Sequence, residues 1–200
     1  MQFPPGTDSF SLLLATPDDG GVPGPYKGFL ERGTFEANDG CTIAYDRCGG
    51  GTQMDQPVVV LLHGWSGSRR YFDPILGYLS MNANVYRLDL RGHGESQKTE
   101  HGLHVARLAA DLQCFLETLQ LEDVYLLGTS MGCAVIWSYI ELFGENSLRG
   151  CVFVDQAPLQ YRLSDWDLGS TGCFDQASLK GLQDALADLD SFADGNADAW

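Results

Sequence analysis

The fold is decided by residues 124–143, which read VYLLGTSMGCAVIWSYIELF. The first four, Val124–Leu127, form a short apolar run that suits a strand buried on both faces. The next five, Gly128–Gly132, fit the pattern G-x-S-x-G. An apolar helical pattern follows and ends near Gly144, because glycine is favoured just after a helix. This order of strand, sharp turn and helix predicts a nucleophile elbow that projects Ser130 from the end of a strand.

Strand and helix patterns alternate on both sides of this stretch. Apolar runs predict further strands at Val58–Leu62, Val85–Leu88 and Cys151–Val154. Helical patterns lie at Ser68–Leu79 and Val105–Leu119. Such alternation predicts an α/β fold with a mostly parallel central sheet flanked by helices.

An antiparallel strand pair is predicted ahead of the parallel strands. Its members are Phe29–Phe35 and Cys41–Tyr45. The intervening Asn38-Asp39-Gly40 contains the Asp-Gly pair that favours a tight turn between strands.

Three regions follow from composition and pattern. Residues 1–26 are rich in Pro, Gly and Asp and predict an irregular N-terminal arm. Residues 27–155 form the α/β core. Residues 156–200 have a helical pattern at Ser178–Phe192 and many aspartates, and we expect them to begin a cap or lid segment.

Bulk charge excludes two classes of partner. The chain has 200 residues, and its formal net charge of −15 argues against binding to nucleic acid or anionic membrane surfaces. The first basic residue is Lys27, and the apolar run before it, Phe10–Ala15, is short. Neither a signal peptide nor a membrane span is predicted.

The cysteines predict no metal site. They are scattered without a C-x-x-C pair, which argues against zinc. Most stand in apolar stretches, which is typical of buried free thiols. A reduced, cytoplasmic location fits this usage.

The combined motifs are more specific than any one of them. His63-Gly64-Trp65, Asp89–Ser96 (DLRGHGES) and Gly128–Gly132 each follow a predicted strand. In order and spacing they resemble the central strands of the α/β-hydrolase superfamily, over residues 28–155. The tail from Val154 to Gly169 resembles the serine esterase and non-haem haloperoxidase branch.

The resemblance implies a chemistry. Ser130 would attack an ester or related acyl bond of a small-molecule substrate, without metal or organic cofactor. The backbone N–H groups of Met131 and Trp65 would form the oxyanion hole, in which each donor typically contributes ~3–4 kcal/mol. Asp155, which ends a core strand, is the candidate acid.

The general base is missing from the expected place. In this fold the order is Ser, then acid, then His, but no histidine follows Ser130. All four histidines lie upstream, and we expect His63 and His93 to structure loops. A complete domain of this type would have about 250–300 residues, so its C-terminal strands, acid and histidine are expected beyond Trp200.

Two alternatives to such an incomplete chain stay open. The chain is then either a catalytically inactive hydrolase-fold binding or interaction protein, or an enzyme with an upstream base. His101 and His104 are the candidates for that base, because they stand just before a helix. The oligomeric state has no signal in the sequence.

Overall fold

The structure, a computed structural model, describes residues 30–49, 56–156 and 180. These residues form a six-stranded sheet in the order β1-β2-β4-β3-β5-β6. The strands are β1 (Glu31–Glu36), β2 (Thr42–Cys48), β3 (Val58–Leu62), β4 (Asn84–Leu88), β5 (Val124–Thr129) and β6 (Leu148–Val154). Neighbours from β4 to β6 run parallel, whereas β2 is antiparallel to β1 and β4. The predicted α/β class with a mostly parallel sheet is confirmed.

Backbone pairing extends two strands beyond their apolar runs. Strand β5 continues through Gly128 and Thr129, and β6 begins at Leu148, which pairs with Val124. Strand β6 is the edge of the described sheet, so Arg149 is accommodated there with its guanidinium 2.7 Å from the Asp123 carboxylate. All four predicted parallel strands share one sheet.

Within residues 56–156, three α-helices flank the sheet: α1 (Asp73–Asn82), α2 (Val105–Thr118) and α3 (Met131–Phe143). The helix predicted at Ser68–Leu79 begins later, because a 3-10 turn occupies Arg69–Phe72. Pro74 explains the shift, since proline lacks an N–H and is tolerated only in the first helical turn.

The predicted antiparallel pair is present and slightly shifted. Glu36 pairs with Thr42, and the Gly40 N–H donates to the Ala37 carbonyl at 2.8 Å. Gly40 has φ +81°, a left-handed conformation that glycine adopts without a steric penalty.

The core on the α2 and α3 side is centred on Phe115. Its side chain is fully buried, and its ring centroid lies 5.4 Å from Phe35, 5.3 Å from Tyr45 and 5.8 Å from Tyr86. Edge-on and tilted ring pairs at these distances add to area burial. Phe115 therefore connects helix α2 to strands β1, β2 and β4.

Contacts divide the chain into two compact units, Met1–Gln156 and Ala157–Trp200. The predicted arm, residues 1–26, lies outside the described residues. The predicted cap segment, 156–200, does so too apart from Gln156 and Lys180. Among the described helices, none has the length and apolar character that crossing a membrane requires.

Truncating the central aromatic should destabilise the fold strongly. We expect Phe115→Ala to lower the free energy of unfolding by about 3–5 kcal/mol, because it leaves a cavity among three rings. Met81→Ala, on an exposed side chain of α1, should change it by less than about 0.5 kcal/mol. Urea denaturation followed by circular dichroism measures both, and equal losses would contradict this packing.

Candidate active site

Ser130 lies where strand β5 turns into helix α3. It directly precedes Met131, the first residue of helix α3, and has φ 50° and ψ −117°. A non-glycine residue in such a region costs of order 1–3 kcal/mol and persists only where its surroundings hold it. Its N–H donates to the Val154 carbonyl at 3.0 Å, and its carbonyl accepts from the Cys133 N–H at 2.9 Å. The backbone is thus held on both sides of the sharp turn.

The glycines that flank Ser130 leave no room for side chains. A Cβ on Gly132 would lie 2.1 Å from the Leu62 carbonyl oxygen, and one on Gly128 would lie 2.5 Å from the Gly132 carbonyl carbon. Helix α3 therefore begins directly against the end of strand β3. The G-x-S-x-G pattern is a packing requirement of this turn.

Gly64 brings the loop after β3 against the serine. A Cβ added there would lie 3.1 Å from Ser130 Cβ and 3.7 Å from Ser130 Oγ. The motifs His63-Gly64-Trp65 and Gly128–Gly132 thus meet at the carboxyl ends of adjacent parallel strands. In open α/β sheets ligands bind at this edge.

A cavity of about 350 Å³ lies beside these loops, and both Trp65 and Met131 line it. This volume is within the usual range of small-molecule sites, roughly 300–1,000 Å³. Leu103, Val105 and Leu108 complete an apolar wall. Trp65 is half exposed. The convergence of the Trp65 and Met131 N–H groups above Ser130 stays a prediction.

His63 holds the ends of two strands together. Its Nδ1 lies 2.7 Å from the Gly64 carbonyl, and its Nε2 accepts from the Leu90 N–H at 3.0 Å. Because a carbonyl only accepts, Nδ1 carries the proton and the ring is neutral. Burial lowers the pKa of His63. The side chain is fully buried and has the loop-structuring position that the sequence predicts.

The other three histidines differ in their relation to the cavity. His93, whose Nδ1 is 2.9 Å from the Arg91 carbonyl, and His104, whose Nδ1 accepts from the Arg107 N–H at 3.2 Å, both line it. His101 is exposed and lies 2.9 Å from Thr99 Oγ1. Of the two upstream base candidates, the structure brings only His104 to the cavity. The structure also brings His93 to the cavity, although the sequence predicts only a loop-structuring role for it.

Asp155 is close to the serine along the backbone. It directly follows Val154, whose carbonyl accepts the Ser130 N–H. The residue is exposed and has φ 55°, which is an uncommon conformation outside glycine. Its position at the carboxyl end of β6 agrees with the predicted one, and its role as the acid stays a prediction.

A buried ionic cluster beneath the loops was not found from the sequence. The Asp89 carboxylate binds the Arg69 guanidinium and accepts the N–H groups of Arg69 at 2.7 Å and Glu95 at 2.8 Å. Asp46, also buried, bridges Arg69 at 3.1 Å and Arg87 at 2.7 Å. In the sequence this cluster is indicated only by Arg87, a charged residue inside the apolar run of strand β4. This cluster fixes the loop after β3 to the loop after β4.

Arg91 anchors the second half of the same loop. Its guanidinium contacts both Asp111 carboxylate oxygens at 2.8 Å and Asp39 at 2.8 Å. The hydrogen bond from Arg91 lowers the pKa of Asp39 to about 2. Buried charges are tolerated when they are paired in this way. His93, two residues further on, is thereby held at the cavity wall.

Residues 57–192 match the family model described as "alpha/beta hydrolase fold". This match covers well over half of the chain, so the chain belongs to the α/β-hydrolase family. Within residues 30–49 and 56–156, no three His, Cys, Asp or Glu side chains are grouped as a metal site requires.

Several of the similar proteins are esterases or haloperoxidases. A non-heme chloroperoxidase of Streptomyces lividans is 31% identical over 127 residues, which is 63% of this chain and 45% of that protein. The esterase EaEST of Exiguobacterium antarcticum superposes with TM-score 0.68 at 25% identity, over 78% of this chain and 56% of that one. A bromoperoxidase of Bacillus anthracis gives TM-score 0.64 at 29% identity, over 81% and 59%. The chain spans at most half of the length of four curated relatives, with coverage of each between 31% and 50%.

The buried neutral state of His63 predicts a pH effect on stability. Its pKa is lower in the folded protein than the usual 6.5, so the unfolded chain binds more protons as pH falls through 6.5. The free energy of unfolding therefore decreases, by up to about 1.4 kcal/mol per pH unit. We expect His63→Asn to flatten this dependence between about pH 8 and about pH 5.5 relative to the wild type. His101→Asn, on an exposed ring, should retain it, and an unchanged slope in His63→Asn would contradict the assignment.

Proposed function

We propose that the protein is a serine hydrolase that cleaves an ester or related acyl bond with Ser130 as nucleophile. The observation that carries the proposal is the strained backbone of Ser130, held between strand and helix by glycines that admit no side chain. Strain of this kind clusters at functional sites. The membership of the family and its esterase relatives support the same reaction class.

The proposed step is acyl transfer to Ser130. Its Oγ attacks the carbonyl carbon, the Oγ proton passes to a base, and the carbonyl oxygen becomes negative. Collapse of this intermediate expels the alcohol, and water then hydrolyses the acyl-enzyme. Met131 is the first residue of helix α3, where N–H groups lack helical acceptors and the helix dipole favours negative charge. Its N–H and that of Trp65 would stabilise the oxyanion.

The base determines how fast this step proceeds. No histidine follows Ser130 in the 200 residues, and the serine hydroxyl stays protonated near neutral pH without an adjacent base. Among the described residues, the candidates are His93 and His104, which line the cavity, with Asp155 as the acid. We therefore expect these 200 residues to be a slow catalyst, because loss of a triad member typically leaves only ~10³–10⁴-fold acceleration over water.

A second candidate function is binding without catalysis. It is favoured by the contacts of the four histidines, none of which is hydrogen-bonded to the Ser130 hydroxyl among the described residues. Such a protein would keep the cavity and its apolar wall and bind a small molecule without cleaving it. A cytoplasmic location, consistent with the free thiols of Cys41, Cys48 and Cys133, is part of both proposals.

Replacement of the serine should separate the two functions. With p-nitrophenyl acetate as substrate, we expect Ser130→Ala to lose at least about tenfold of the wild-type kcat/KM, because the covalent route is removed. Ser80→Ala is the matched control, since Ser80 lies in helix α1 with its hydroxyl 3.3 Å from the Gly77 carbonyl. It should keep the wild-type rate.

The rates of the variants distinguish hydrolysis from binding and identify the base. Equal rates for the wild type and Ser130→Ala would contradict the hydrolase proposal and leave the binding function. A rate that depends on Ser130 and falls again in His104→Gln or His93→Gln identifies the base. The pH profile of kcat/KM then moves with the variant that removes it.

A further inference from the structure

Basic side chains line the cavity and acidic ones do not. Its ionisable lining residues are Arg91, His93, Lys98 and His104, and no Asp or Glu of the described residues lines it. The chain as a whole has a formal net charge of −15. The basic lining of the cavity is therefore a local feature, because the chain as a whole is strongly acidic.

Lys98 supplies a positive charge that no described carboxylate neutralises. Its Nζ donates to the carbonyl oxygens of Gly94 at 2.6 Å and Ser96 at 2.9 Å. Among the described residues it forms no ion pair, whereas Arg87 and Arg91 each bind two carboxylates. Two of the three ammonium protons are used, so one donor remains for a ligand.

The N-terminus of helix α2 adds to this potential. His104 and Val105, the residues at its beginning, both line the cavity. The first turn has no acidic residue, so the partial positive charge of the helix is not compensated there. In the neutral ring His104 Nδ1 accepts the Arg107 N–H, which leaves the proton on Nε2 as a further donor.

Arg91 offers no free charge to the cavity. Its backbone region lines the cavity, but its side chain is fully buried and its guanidinium is paired with Asp39 and Asp111. The positive potential that a ligand meets therefore comes from Lys98 and from the start of helix α2.

We propose that the cavity binds the acyl part of an ester that carries a second, free carboxylate: the half ester of a short dicarboxylic acid. The methylene chain packs against the apolar side chains of Trp65, Leu103 and Met131. The carboxylate binds at the cationic rim, which is formed by Lys98 and the start of helix α2 at His104. The scissile carbonyl then lies toward Ser130. This inference rests on the proposed hydrolase function and names its substrate class.

The test measures binding separately from turnover. The full chain with Ser130→Ala is titrated with monomethyl glutarate and with methyl valerate, which has the same chain length but no charge, by ligand-observed NMR. We expect the carboxylate ester to bind about tenfold more tightly at low salt, because a charge-assisted hydrogen bond forms with the rim. The preference should shrink as salt is added.

Three variants locate the recognition. Lys98→Gln should lose most of the preference, and Val105→Asp, which puts an acid in the cavity wall at a helix N-terminus that tolerates it, should abolish or reverse it. Arg70→Gln removes an exposed charge that does not line the cavity and should retain the preference. Equal binding of the two esters, or a preference that survives both cavity variants, would overturn the proposal.

Hydrolysis is scored independently with the wild-type chain and the p-nitrophenyl esters of glutarate and valerate. A binding preference without Ser130-dependent turnover contradicts the hydrolase function and still assigns the pocket to carboxylates. Turnover without a binding preference supports the hydrolase and overturns the substrate class.

Discussion

The close approach between the start of helix α3 and the end of strand β3 is the constraint on which the site depends. Gly132 packs so tightly on the Leu62 carbonyl that one methyl group would clash. This contact forces the chain to turn within Ser130, whose φ of 50° is the geometric consequence. Since Gly64 follows Leu62 closely on the same strand end, the contact also brings the second loop to the serine. Backbone packing alone thus places Ser130 beside the loop that follows strand β3.

The buried ionic cluster holds the loop after β3 and the loop after β4 in place. Asp89 and Asp46 accept donors from Arg69 and Arg87 that come from different elements. Such a cluster contributes little net stability but is costly to break at one member, because an unpaired buried charge remains. The loops that carry Trp65 and the cavity histidines are therefore held in register, as preorganised electrostatic catalysis requires.

The sequence predicted the features that depend on local pattern. Apolar runs located the four parallel strands of the described residues, and the glycines around Ser130 located the turn. Strand β6 was predicted too short because Leu148–Gly150 pair through backbone groups, which no side-chain pattern reports. The Asp46 to Arg87 pairing joins residues far apart in the chain, so only the sheet register reveals it. His93 was assigned to loop structure alone for the same reason, since its place in the cavity is set by tertiary contacts.

Covalent labelling of the full chain with a fluorophosphonate tests the central claim most directly, namely that Ser130 is the nucleophile of the site. In this reaction Ser130 Oγ forms a bond to phosphorus and fluoride leaves, with the serine proton passing to base. Intact mass and peptide mapping should show a single adduct on Ser130, formed faster than on any other serine of the chain and absent from Ser130→Ala. No adduct, or adducts spread over exposed serines with Ser130 unmodified, would contradict the account.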